Sequence, residues 1–327
     1  MTKFDGRVLM VTTEVEPATR PPRLDPRSVR LVEAVGGTPL LALSRIAAEV
    51  PGVSLFAKAE FVNPGGSVKD RPARAMLLEG LASGALRPGR TILEATSGNT
   101  GIADAMLGRA LGFPVTICLP ANASAERQGT VRAFGAEIVR TDPLEGTDGA
   151  IRKAREMAAS QPDRYFYPDQ YSNPANWRAH FDTTGPEIWE QTGGRLDIFV
   201  AGIGTSGTFL GITRYLKQRD LSIRCVAVEP DGPLHGLEGM KHMASALVPP
   251  IWDPAVADRR LAVATEDAYE MCRRLAREEG LFVGPSSGAN VAAALAVARE
   301  LPRPASIVTV LPDGGGRYLS HDFWGRP

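Results

Sequence analysis

Along the chain, short runs of Val, Ile and Leu alternate with longer stretches in which apolar residues recur at helical spacing. The runs Val53–Lys58, Thr91–Glu94, Val115–Leu119, Glu137–Thr141, Ile198–Ala201, Cys225–Glu229 and Ile307–Leu311 carry the composition of strands covered on both faces. Between them, Arg71–Leu81, Gly101–Leu111, Asp148–Ala159, Glu266–Glu278 and Asn290–Leu301 have helix-forming composition, and Pro174–Gln191 also looks helical. Strands alternating with helices predict parallel sheets sandwiched between helices, an α/β fold with two closely joined sheets. Residues 1–33 break the pattern. There Pro17, Pro21, Pro22 and Pro26 alternate with Arg20, Arg23, Arg27 and Arg30, which predicts an arm and not a packed element.

Composition narrows the function. Thirty-seven Lys and Arg balance thirty-seven Asp and Glu, which argues against nucleic acid or an anionic membrane as partner. Cys118, Cys225 and Cys272 are far apart and odd in number, so neither a disulfide framework nor a CxxC site is expected. His180, His235, His242 and His321 form no metal-binding pair, and no metal is expected. No apolar run approaches the ~18 residues of a membrane span, and a cytoplasmic protein is the expectation.

The candidate chemistry lies where strands hand over to helices, the edge at which open α/β sheets bind ligands. Ala201-Gly-Ile-Gly-Thr-Ser-Gly-Thr208 follows a strand and precedes an apolar helix. Its glycines admit close approach of an anion, and the helix start offers free N–H groups, so a phosphate suits it. The same spacing fits a dinucleotide fingerprint, with Glu229 about twenty residues on as a ribose-binding acid. A second loop, Thr96-Ser-Gly-Asn-Thr-Gly101, offers hydroxyls, an amide and helix-start N–H groups suited to a carboxylate. A third, Asn63-Pro-Gly-Gly-Ser-Val-Lys-Asp-Arg71, places Lys69 after two glycines and a serine, one turn into a predicted helix. In a partly apolar cleft such a lysine loses its proton readily and attacks carbonyls. A phosphate loop, a nucleophilic lysine and a carboxylate loop are what pyridoxal phosphate and an amino acid jointly require. A dinucleotide would leave Lys69 and the 96–101 loop without a purpose.

These loops, with Gly37-Thr-Pro-Leu40, Gln170-Tyr-Ser-Asn-Pro-Ala-Asn176, Ser286-Ser-Gly-Ala289 and Arg317-Tyr-Leu-Ser320, stand in the order seen in cysteine synthases. The chain therefore resembles the cysteine synthase/cystathionine β-synthase family of fold-type II pyridoxal-phosphate enzymes over roughly residues 35–323. SVKDR and TSGNTG, in place of the threonine dehydratase patterns, favour the β-replacement branch. The resemblance implies two open, twisted, mostly parallel sheets flanked by helices, as in the tryptophan synthase β subunit. It implies a smaller domain over 59–174 with a mobile segment, a larger phosphate-binding domain over 34–58 plus 175–327, and a homodimer. It makes Lys69 the Schiff-base lysine that also moves the substrate's α-proton. Gly204, Thr205, Ser206, Gly207 and Thr208 would cradle the phosphate, Asn99 would meet the cofactor's 3′-oxygen, and Ser286 would face the pyridine nitrogen. Thr96, Ser97, Thr100 and Gln170 would hold the substrate carboxylate. A neutral Ser286 hydroxyl makes the ring a weaker electron sink than an aspartate would, which couples proton loss at Cα to departure of a β-substituent.

Several residues keep two readings. Ser286 and Ser287 also suit a helix cap before Gly288. Asp313 approaches the ring or merely turns the chain. His180 and Asp182 read as structural or surface residues, Cys118 and Cys225 as small core residues. Lys241, in Pro233-Leu-His-Gly-Leu-Glu-Gly-Met-Lys-His-Met243, is either a solvated loop charge or a cation for a phosphate on the substrate's β-oxygen. The expected activity is formation of L-cysteine from O-acetylserine, with O-phosphoserine as a candidate, and sulfide or another sulfur donor. Alternatives are formation of cystathionine or another β-substituted alanine, and, in a different class, a non-catalytic dinucleotide or metabolite sensor. A complex with a serine acetyltransferase stays open.

Overall fold

Ten strands, β1 (Leu40–Ala42), β2 (Val53–Ala59), β3 (Thr91–Ala95), β4 (Val115–Pro120), β5 (Glu137–Thr141), β6 (Tyr165–Phe166), β7 (Ile198–Gly202), β8 (Arg224–Pro230), β9 (Arg259–Val263) and β10 (Ala305–Leu311), build two sheets in the computed structural model. It describes residues 30–302 and 304–325; most of the predicted arm lies outside the described residues. One sheet runs β1-β2-β10-β7-β8-β9 and the other β5-β4-β3-β6. Every pairing is parallel except that of β1 with β2. Central strands such as β4 are buried at every position, as strands covered by helices on both faces must be. The α/β architecture with two mostly parallel sheets is thus the one expected from the alternating pattern. Two further apolar layers pack against the larger sheet, one around the Pro285–Arg299 helix and one around Phe199, Phe209 and Leu216.

Strand order places two crevices. In the larger sheet the chain runs outward from β7 through β8 to β9, while β10 inserts on the other side of β7. In the smaller sheet it runs from β3 through β4 to β5, while β6 lies on the other side of β3. Each reversal opens a crevice at the strands' carboxyl ends, where α/β sheets take ligands. The loop after β7 begins at Ile203 and the loop after β3 at Thr96. Gln170 follows β6 and Asp313 follows β10.

Some predicted boundaries move. Lys69 stands just before the Asp70–Ala82 helix and not a turn inside it. The segment ahead of it is drawn into extended pairing at the exit of β10, through Val68 N–H donating to Pro312 O at 2.8 Å and a bridge between Ser67 and Asp313. The helix can only start once that pairing ends. Ser286 and Ser287 do not cap a helix. Gly284 is the N-cap, Pro285 takes the first turn where its missing N–H costs nothing, and both serines lie within the helix with no side-chain cap bond. The Pro174–Gln191 stretch is helical but is broken by a π turn over His180–Thr184. There the Gly207–Arg219 helix packs so closely that a Cβ on Gly211 would lie 2.1 Å from Trp177 O.

Candidate functional site

Two pockets meet at the crevices and share Lys69, Asn99, Gly204, Thr205, Gly239 and Met240. The first continues under β7 and β10 and is lined by Ser206, Thr208, Ser286 and Asn290. The second continues towards the smaller sheet and is lined by Thr96, Ser97, Thr100, Gln170 and Lys241. Apart from Gly207, every residue that the resemblance assigns to cofactor or substrate, and Lys241, lines one pocket or the other. Gly207 opens the helix behind the 203–206 loop.

The first pocket has the equipment of an anion site. Ser206 is a non-glycine residue at φ 71°, a left-handed conformation that L side chains adopt at a cost. It is the N-cap of the Gly207–Arg219 helix, and its hydroxyl is buried with no hydrogen-bond partner among the described residues. A buried, unpartnered hydroxyl beside the N–H groups of a helix start fits a phosphate. Close packing fixes the loop: a Cβ on Gly204 would lie 2.0 Å from Gly239 O, and Lys241 N–H donates to Ile203 O at 2.9 Å. Thr205 accepts a bond from Asn176 Nδ2 at 3.1 Å, and Thr208 Oγ1 lies 3.2 Å from His180 Nε2. Asn176 and His180 were not assigned to the site from sequence. Their separation of one helical turn, aimed at the phosphate loop, was the available signal. His180 is fully buried; burial, with the charges of Arg71 and Lys69, pushes its pKa well below the usual histidine range, so it is a neutral brace. Asn290, one turn beyond Ser286, also lines the pocket with its Oδ1 unpartnered.

Lys69 stands where the pockets join. It keeps some exposure to the cleft, yet its amine lies deep among protein atoms. Burial lowers its pKa, Asp313 partly offsets this, and the Arg317 charge adds to it. This favours the neutral amine that attacks carbonyls.

The second pocket is lined with hydroxyl and amide groups. Thr96 and Thr100 are buried, Thr96 Oγ1 accepts from Gly98 N–H at 2.9 Å, and Thr100 Oγ1 donates to Gln170 Oε1 at 2.7 Å. Gln170 Nε2 donates to Ala95 O at 2.7 Å. Gly98, at φ 149°, turns the loop where a Cβ would lie 2.3 Å from Arg127 Cδ. Lys241 is not a solvated loop charge. It is 8% exposed, pairs with Asp148 Oδ1 at 2.6 Å and lies 5.4 Å from the Tyr171 ring centroid. Glu229, the acid of the dinucleotide reading, accepts from Met243 N–H at 3.2 Å and lines neither pocket. Cys118 and Cys225 are buried core residues, and burial raises both thiol pKa values.

Behind the loops lies a row of buried acids. Burial pushes Asp70 to about 7 and Asp104 to about 8, Asp70 adding to the shift of Asp104; burial and Asp104 hold Glu94 well above its ordinary value. Neither carboxyl oxygen of Asp104 has a hydrogen-bond partner among the described residues. A carboxyl whose folded pKa is raised stabilises the fold fully below pH ~4, and that contribution is lost as pH rises towards 8. Asp104→Asn should therefore leave stability nearly unchanged at pH 4 and raise it at pH 8, by on the order of 1–3 kcal/mol. Scanning calorimetry at both pH values checks this, and equal changes at the two would remove Asp104 as the source.

Comparison with known proteins places this geometry. The family described as pyridoxal-phosphate dependent enzyme matches residues 31–313. A cysteine synthase of Aquifex aeolicus is 51% identical over 295 residues, 89% of this chain and 90% of that protein. The crystal structure of a cysteine synthase from Entamoeba histolytica superposes with a TM-score of 0.85 at 36% identity, over 96% of this chain and 95% of that one. An O-acetylserine dependent cystathionine β-synthase from Helicobacter pylori does so with a TM-score of 0.86 at 38% identity, over 91% and 99%.

Proposed function

The chain belongs to the pyridoxal-phosphate dependent enzymes, and on that premise we propose that it forms L-cysteine by β-replacement on an O-activated L-serine, with sulfide or another sulfur donor as nucleophile. The observation that carries this reading is the junction at Lys69 of a phosphate-type pocket and a carboxylate-type pocket, in a chain half identical to a cysteine synthase. A non-catalytic sensor needs neither Lys69 nor the second pocket.

When bound, pyridoxal phosphate supplies an aldehyde that captures the substrate amine and a conjugated ring that withdraws electrons from Cα. The residues present fit it. Ser206, Thr205, Thr208 and the helix start at Gly207 would hold the phosphate, with Gly204 admitting it. Ser286 would serve the ring nitrogen and Asn99 the ring oxygen. Lys69 would hold the cofactor through its amine and serve as the base for the substrate's α-proton. Thr96, Ser97, Thr100 and Gln170 orient the substrate carboxylate so that this proton faces Lys69. The resemblance extends the proposal to a cytoplasmic homodimer, to a smaller domain over 59–174 with a mobile segment that closes over bound substrate, and to a larger domain over 34–58 plus 175–327.

The test is the product spectrum of the purified enzyme with O-acetylserine, O-phosphoserine or serine, each with sulfide or homocysteine. Cysteine from an O-activated serine and sulfide is the expected result, and no cysteine from any pair would reject the reading. A second nucleophile is favoured by one observation. Ser97, Thr147 and Lys241 of the substrate pocket also line a wide polar vestibule with Asn122, His235 and Tyr269, which has room for a thiol larger than sulfide.

Lys241 carries the choice of leaving group. Its ammonium lines the substrate pocket, where it would pair with a phosphate on the substrate's β-oxygen. Lys241→Ala should lower kcat/KM for O-phosphoserine roughly ten- to hundred-fold while largely sparing O-acetylserine. Asp148→Asn, which frees the ammonium from its carboxylate, should shift preference towards O-phosphoserine. Equal losses on both substrates would make Lys241 a brace of the cleft wall.

A further inference from the structure

Asn99, the first residue of the Asn99–Ala110 helix, has its amide held at both ends. Nδ2 donates to Asp313 Oδ2 at 2.7 Å, and Oδ1 accepts from Arg317. A carboxylate only accepts and a guanidinium only donates. Rotating the amide by 180° would set its oxygen against the carboxylate and its NH₂ against the guanidinium, so one orientation alone is satisfied.

The clamp is itself anchored. Asp313 is fully buried, and its Oδ2 also accepts from Tyr318 Oη at 2.7 Å. Its backbone bridges to Ser67 and accepts from Gly284 N–H at 3.1 Å. Its other oxygen occupies space that only a glycine at 284 leaves open, since a Cβ there would lie 2.3 Å from Asp313 Oδ1. Arg317 also donates to Gly65 O in the lysine loop. The carboxylate therefore does more than turn the chain after β10.

We propose that Asp313 is a positioning residue for the cofactor ring, which together with Arg317 fixes the Asn99 amide in a single orientation before the cofactor enters. This rests on the proposed contact between Asn99 and the ring oxygen. The amide then meets that oxygen preorganised, with no rotation to freeze on binding. The Asp313 charge also opposes the loss of the Lys69 proton.

The experiment is a double-mutant cycle between Asp313 and Asn99, read by titration of the cofactor-free protein with pyridoxal phosphate and by the absorbance and circular dichroism of the loaded protein. Asp313→Ser, too short to reach Nδ2, should weaken cofactor binding roughly ten-fold and alter the visible band. Asp313→Asn keeps an acceptor and should recover most of that affinity. In an Asn99→Ala background the affinity effect of Asp313→Ser should largely vanish. A wild-type affinity and spectrum in Asp313→Ser, or an equal loss with and without Asn99, would overturn the proposal. If Asp313→Ser does not fold, Arg317→Gln carries the same cycle. Failure of the wild-type protein to bind pyridoxal phosphate would instead strike the proposed function.

Discussion

Lys69→Ala should abolish turnover, with a fall in kcat of at least ~10³-fold, while the protein still folds. The size follows from two lost roles. Among the described residues Lys69 is the only lysine that lines both pockets, so both the proposed anchor for the cofactor aldehyde and the proposed base for the α-proton go together. Acid–base assistance alone contributes roughly 10²–10⁴-fold. Borohydride treatment of the loaded wild-type protein should fix the cofactor to the peptide containing Lys69, seen by mass spectrometry, and Lys69→Ala should show no such adduct. Stability should barely change, because removing a buried amine whose burial already lowers its pKa relieves a desolvation cost. Residual turnover within ten-fold of wild type, or a borohydride adduct elsewhere, would remove Lys69 from its role.

What could be read from the sequence divides along physical lines. Strands buried on both faces, such as β4 and β10, announce themselves as continuous apolar runs. β1, β6 and β9 do not. β6 is two residues long, and β9 lies at a sheet edge where Arg259 and Arg260 face solvent. The Ala125–Ala133 helix is also absent from the apolar pattern because its residues are mostly polar, and Arg127 is buried over the Tyr318 ring and in an ion pair with Glu238. The loops were legible because glycines and hydroxyls cluster there for chemical reasons. Their braces were not. Asn176, His180, Asp313 and Arg317 act through side chains that meet only when separate elements pack. Lys241 was ambiguous for the same reason, since its partner Asp148 lies 93 residues away in sequence.

One such brace makes the second large prediction. Asn176 Nδ2 donates to Gln170 O at 2.6 Å and to Thr205 Oγ1 at 3.1 Å, tying the proposed substrate-carboxylate residue to the proposed phosphate loop. Gly207 leaves the room that Asn176 occupies: a Cβ there would lie 1.9 Å from Asn176 Oδ1, far inside contact distance. Gly207→Ala must therefore displace Asn176 and break both links, or shift the helix start that receives the phosphate. Cofactor affinity should fall about a hundred-fold, the equivalent of ~2.7 kcal/mol, and KM for the amino-acid substrate should rise in the enzyme that can still be loaded. Asn176→Ala alone should cost less, because it removes the links without adding bulk. The decisive variant is the double substitution Gly207→Ala with Asn176→Gly, which removes the clashing side chain and should regain part of the cofactor affinity lost in Gly207→Ala. Fluorescence titration with pyridoxal phosphate measures all of these. If the double variant binds cofactor no better than Gly207→Ala, the damage comes from the helix start itself and not from the link through Asn176.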